Sequence, residues 1–81
     1  MTTRTVLLFA RYAELLGAES VDVTLEDGAT VADLVAALRA LPGGASLPAI
    51  PLVAVAHAKA DFDTVLPRDA ELALLPPLAG G

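Results

Sequence analysis

With 81 residues, 56% of them hydrophobic, the chain forms one small domain with enough apolar material for a compact core. Its net charge of −5, from ten acids against five bases, runs against nucleic-acid binding. The lack of cysteine excludes a disulfide scaffold, a thiolate metal site and a side-chain persulfide. The acidic balance suits a basic partner surface, and equally suits ordinary solubility. No apolar run is long enough to span a bilayer. The short apolar stretch that ends at Arg11 reads as a strand rather than a secretion signal. A cytoplasmic chain without a membrane partner is expected.

Thr5 to Ala10 is a continuous apolar run, the pattern of a central strand covered on both faces. Alternation puts Val6, Leu8 and Ala10 on one face, and Leu7 and Phe9 on the other. Arg11 to Gly17 suits a short helical turn closed by Gly17. Val21, Val23 and Leu25 alternate with Asp22, Thr24 and Glu26, a half-buried strand that ends in an Asp27-Gly28 turn. Thr30 is a good helix N-cap, with Asp33 placed to complete a capping box. Val31, Leu34, Val35, Leu38 and Leu41 then recur at helical spacing, so a helix is expected from Val31 to Leu41, stopped by Pro42-Gly43-Gly44. Ala45 to Pro51 reads as a loop and Leu52 to Ala56 as a third strand. A turn is expected at His57 to Ala60, then a short element from Asp61 to Leu66. A second turn at Pro67 to Ala70 leads into a last strand, Glu71 to Leu75.

Strand, strand, helix, strand, short element, strand is most economically packed as an α+β fold. One main helix lies on one face of a mixed four- to five-stranded sheet, the β-grasp or ubiquitin-like arrangement. Val6, Leu8, Val23, Leu25, Leu34, Leu38, Val53, Val55, Leu72 and Leu74 are its expected core. One helix cannot cover both faces. Leu7, Phe9 and Leu75, with Leu52 and Ala54 beside them, are left pointing away from it, and a partner interface is expected there. In the alternative, Tyr12, Leu15 and Leu16 fold back over that face.

The domain, residues 1–75, runs into a tail, residues 76–81. Pro76 and Pro77 cannot continue a central strand and favour an extended segment. The tail Pro76-Pro77-Leu78-Ala79-Gly80-Gly81 can project about 19 Å at polyproline II rise. Its glycines are narrow enough to thread a slot that rejects any side chain. Small-residue chain ends are also commonly just disordered. If this chain carries sulfur, the carboxylate of Gly81 is the place for it. Joined to AMP by a partner enzyme, that carboxylate becomes an acyl donor, and sulfur can then replace one oxygen to give a thiocarboxylate.

No other constellation can run a reaction alone. His57 reads as a surface turn residue. Asp61 and Asp63 flank Phe62 near a turn and read as solvated rather than as a metal pair, and no metal site is expected. Lys59 is the single lysine, with a salt bridge or no partner as its default. Gly43-Gly44 ends a helix rather than opening one and lacks the Lys-Ser/Thr of a phosphate loop.

Along nearly its whole length the chain resembles the small subunit of molybdopterin synthase, a MoaD-like β-grasp sulfur carrier. The resemblance is carried by Leu8-Phe9-Ala10-Arg11 with Glu14-Leu15 and Gly17, by Asp27 through Leu34, and by Val53-Ala54-Val55. It closes with Glu71 through Pro77 and Gly80-Gly81. The Pro-Pro-x-x-Gly-Gly ending is the most specific piece. Related carriers for thiazole synthesis share the Gly-Gly end but usually lack the double proline. The chain departs from the family at Ala56, where Asn is common, at Pro67-Arg68-Asp69-Ala70, where Asp-Gly-Asp is common, and at Ala79, where Ser or Thr is common.

The resemblance implies a sulfur-donating subunit that is not catalytic alone and binds no cofactor itself. An ATP-using, ubiquitin-activating-like enzyme would adenylate Gly81, and a sulfur donor protein would convert it to the thiocarboxylate. Pro76 through Gly80 would insert into the large synthase subunit, which binds cyclic pyranopterin monophosphate. Phe9 and Leu75 would contact that subunit in a heterotetramer, consistent with the uncovered face on which alternation also places Leu7. The alternatives are a carrier for thiazole or cysteine synthesis, a ubiquitin-like protein modifier, or a plain β-grasp interaction module.

Overall fold

The structure is a computed structural model that describes residues 1–76. Five strands form one mixed sheet: β1 (Thr2–Leu8), β2 (Ser20–Leu25), β3 (Leu52–Val55), β4 (Ala58–Ala60) and β5 (Leu72–Leu75), in the spatial order β2-β1-β5-β3-β4. A short helix, α1 (Arg11–Leu16), follows β1, and the main helix, α2 (Val31–Arg39), crosses the sheet. β1 pairs antiparallel with β2 and parallel with β5, and β3 pairs antiparallel with both β5 and β4.

The main helix begins where its side chains dictate. Thr30 Oγ1 accepts from the Asp33 backbone N–H at 3.3 Å, and the Asp33 carboxylate accepts from the Thr30 backbone N–H at 2.9 Å. That reciprocal pair satisfies helix-start donors that would otherwise lack partners. The segment after β4 supplies the rest, since Val31 N–H donates to Thr64 O and Ala32 N–H to Phe62 O, each at 3.0 Å. The stretch from Asp61 to Leu66 thus covers the helix start, and Leu66 N–H donating to Ala29 O at 2.9 Å completes the pairing of Thr30 with Val65. The helix ends at Arg39, short of the expected Leu41. Pro42 disfavours helical backbone at the residue before it, and Leu41 N–H turns instead to Leu38 O at 3.2 Å.

All ten expected core residues are buried, and Tyr12, Val31, Val35, Leu47 and Leu66 join them. Leu34, Leu38, Leu72, Leu74, Val6, Val31 and Val53 are almost wholly enclosed. Each of these is worth about 1.5–3 kcal/mol relative to exposure. Leu15 and Leu16 pack against the same cluster, as does Phe62. Tyr12, Leu15 and Leu16 therefore complete the helix-side core and do not cover the opposite face.

Three local expectations are corrected. β1 begins at Thr2 and ends at Leu8, not Thr5 to Ala10. The threonines pair with β2, where the Thr5 hydroxyl donates to Asp22 at 2.6 Å and Thr3 meets Thr24 at 3.4 Å. The strand stops because Ala10 takes φ 51 and ψ −123, close to the first central position of a type II′ turn, with Tyr12 N–H donating to Phe9 O at 3.1 Å. β5 begins one residue late, at Leu72 rather than Glu71. The turn expected over His57 to Ala60 is confined to Ala56 and His57, and Ala58–Ala60 is strand β4. Arg4, on the helix side of β1, steadies the second turn by donating from Nη2 to Pro67 O at 2.8 Å and Ala70 O at 3.1 Å.

The β3–β4 hairpin carries a removable strain. Ala56 has φ 52 and His57 φ 69, the left-handed pair of a type I′ turn that favours Asn-Gly. Placing L-residues there costs about 1–2 kcal/mol per residue. The double variant Ala56→Asn, His57→Gly is expected to be more stable by about 1–2 kcal/mol, and to melt some 4–8 °C higher for each kcal/mol gained. An unchanged or lower melting temperature would contradict the turn geometry.

Candidate functional site

Because β5 runs parallel to β1 in the middle of the sheet, both strands finish at the same end, with Leu8 in register with Leu74. There Leu75, which lines a depression with Phe9 from the exit of β1, leads to a half-buried Pro76. Pro77, Leu78, Ala79, Gly80 and Gly81, which carry the expected tail chemistry, lie outside the described residues.

The face away from α2 is divided. Beside β2 it is polar, occupied by Thr3, Thr5, Asp22 and Thr24 and their hydrogen bonds. Across the middle, register sets Leu7 against Ala73, Ala73 against Ala54, and Leu52 against Leu75. Phe9 is 45% exposed beside them, and Leu7, Leu52, Ala54 and Leu75 are half-buried. The three residues expected at an interface, Leu7, Phe9 and Leu75, thus share one apolar patch at the base of the tail.

A cavity of about 200 Å³ is sunk into this patch, lined by Phe9, Ala54, His57, Glu71, Ala73 and Leu75. His57 sits in the hairpin turn as expected, and its Nε2 lies 3.2 Å from the Glu71 carboxylate. Their side chains are 80% and 45% exposed, so water and salt screen the pair, which contributes little to stability. Lys59 is exposed on β4, paired opposite Ala54. Among the described residues no group of three or more His, Cys, Asp or Glu could hold a metal ion. No helix among them is long and apolar enough to cross a membrane.

Alternation sets Ala54 beside this face, and nothing in the sequence marks Ala73. Only strand pairing reveals them as neighbours, since alanine by itself signals neither a surface nor a site. Gly43 and Gly44 serve packing. A Cβ at Gly43 would come within 2.3 Å of the Leu15 carbonyl oxygen, and one at Gly44 within 2.0 Å of the Leu38 carbonyl oxygen.

A mixed five-stranded sheet with one main helix on one face, whose middle strand ends beside an uncovered apolar patch, defines a β-grasp, ubiquitin-like domain. Residues 6–81 match the ThiS family, and the chain belongs to that family of small ubiquitin-fold sulfur carriers. Among solved structures it is similar to the Haloferax volcanii small archaeal modifier protein 1, at 26% identity, TM-score 0.82, and coverage of 96% of this chain and 100% of that one. A putative molybdopterin converting factor, subunit 1, from Pyrococcus furiosus shares the fold at 20% identity and TM-score 0.79, covering 96% of this chain and 100% of that one. So does a chain from the complex of subunits 1 and 2 of the molybdopterin-converting factor of Helicobacter pylori 26695, at 21% identity and TM-score 0.69, covering 99% and 100%. No curated protein matches the chain.

Proposed function

We propose that this chain is the sulfur-carrier small subunit of a molybdopterin synthase. The observation that carries the reading is the exit of β5. The strand ends at Leu75, which lines one depression with the exposed Phe9, and in the sequence Leu75 leads straight into the Pro-Pro-x-x-Gly-Gly ending. A protein that seats on this patch therefore receives the tail. The Helicobacter pylori structure, a complex of subunits 1 and 2, supports a large subunit as that protein.

In this reading the Gly81 carboxylate attacks the α-phosphate of ATP on an activating enzyme, releasing pyrophosphate and leaving an acyl adenylate. Sulfide-level sulfur supplied by a donor protein attacks the acyl carbon, and the bond to AMP breaks, giving the thiocarboxylate and free AMP. The tail then delivers sulfur to cyclic pyranopterin monophosphate held by the large subunit, and two deliveries complete the dithiolene of molybdopterin. This chain contributes the docking face, the reach and the reacting end. The chemistry on the pterin belongs to the large subunit.

A second reading has a specific observation behind it. The archaeal modifier is 26% identical to this chain, against 20% and 21% for the molybdopterin factors. As a modifier, the activated Gly81 would acylate a lysine of a target protein.

The deciding experiment is an intact mass. The protein is incubated with ATP, sulfide and the activating enzyme of the same cell, then with the large subunit and cyclic pyranopterin monophosphate. One oxygen replaced by sulfur, and that sulfur lost again in the second step, is the expected result. Lysine-linked adducts in place of sulfur loss would favour the modifier. No mass change, with an activating enzyme shown to work on another carrier, would remove the carrier reading.

A further inference from the structure

We propose that Ala54 and Ala73 floor a socket for one bulky apolar side chain of the large subunit, and that this fit selects which protein accepts the tail. The proposal rests on the docking reading above and adds a feature that reading does not need. Ala54 and Ala73 are direct partners across β3 and β5, so two small side chains meet at one point of an otherwise large-residue patch. The depression above them, about 200 Å³, is below the roughly 300 Å³ at which small-molecule pockets begin. It suits a single side chain. Phe9 and Leu75 form apolar walls, and the paired His57 and Glu71 form a polar wall. Such an arrangement, an apolar pit with a polar rim, is how an interface seats an aromatic or aliphatic anchor.

Two observations say the walls are held in place and say what fills the socket. Ala10, next to Phe9, has φ 51, and Ala56 and His57 have φ 52 and 69. These are the chain's only non-glycine residues with positive φ among those described, and they flank opposite walls. Both are tight turns, and they fix where the Phe9 and His57 walls stand on the sheet. Leu75, itself a wall, is followed directly by Pro76 and the tail, so whatever binds the tail at its root covers the socket.

The test exploits a sign. Ala54 is half-buried on the outer face, so a larger apolar residue there adds hydrophobic surface. Unspecific apolar docking would then tighten, whereas a socket would be blocked. Affinity for the large synthase subunit of the same cell is measured by calorimetry for the wild type, Phe9→Ala, Ala54→Val and Ala54→Leu, with melting curves for each. We expect Ala54→Leu to bind at least about tenfold more weakly, with Ala54→Val in between and both folded. If Ala54→Leu fails to fold, Ala54→Val carries the result. Unchanged or tighter binding by the folded Ala54 variants, with weaker binding by Phe9→Ala, overturns the socket and leaves the docking face standing. No effect from any variant overturns both. Self-association of the wild type that Ala54→Leu abolishes would give the socket to a second copy and overturn the proposal.

Discussion

Gly44→Ala is expected to lower the stability of the domain by about 3 kcal/mol or more. The added methyl would lie 2.0 Å from the Leu38 carbonyl oxygen and 3.0 Å from the Arg39 backbone, with no flexible side chain to give way. Overpacking of this sort costs about 1–3 kcal/mol where side chains can shift, and more where backbone must. A domain of this length has only about 4–12 kcal/mol in total, so the variant should melt far below the wild type or express poorly. Gly43→Ala meets two obstacles at once, a φ of +83 and a carbonyl of Leu15 within 2.3 Å. Both glycines let the turn after α2 close against its neighbours, and Gly43 in particular lies on α1, the helix that follows Phe9 and Ala10. Urea midpoints of the two variants check this. A midpoint within experimental error of the wild type would show that the turn does not pack on α1 and α2 as described.

Deleting Gly81 is expected to abolish sulfur loading almost completely while leaving the fold and the docking face intact. The reacting carboxylate would then belong to Gly80, about 3.3–3.6 Å short of its reach. Positioning errors of about 1 Å already lower rates by two orders of magnitude. Intact mass reads the loading, a melting curve reads the fold, and affinity for the large subunit reads the docking face. A plain interaction module makes the opposite prediction, since its tail is incidental and the shortened chain would retain every function. Full loading of the shortened chain would remove the proposed chemistry from Gly81.

Much of the fold is legible in local patterns. The alternation of Val21, Val23 and Leu25 specifies a half-buried strand, and the Thr30–Asp33 spacing with Leu34, Val35 and Leu38 specifies where the helix starts and which side it buries. Counting apolar residues against a single helix also shows that one sheet face is left over, which is how Leu7, Phe9 and Leu75 come to attention before any contact is known.

Other features have no local signature. Thr2 to Arg4 join β1 through partners in β2, and Ala58–Ala60 becomes a strand by pairing with β3 across a turn whose residues do not favour it. Tyr12 turns to the helix side because Ala10 bends the chain just before it. The alanine floor exists only because β5 inserts between β1 and β3 in one register; a shift by one residue would set a leucine there. The sequence by itself determined the main helix, the central strands, most of the core and the surplus apolar face, because propensity and periodicity act between near neighbours. Only the tertiary structure decided the strand order, β4, the helix-side placement of Tyr12 and the depth of the patch, because those depend on contacts between residues distant along the chain.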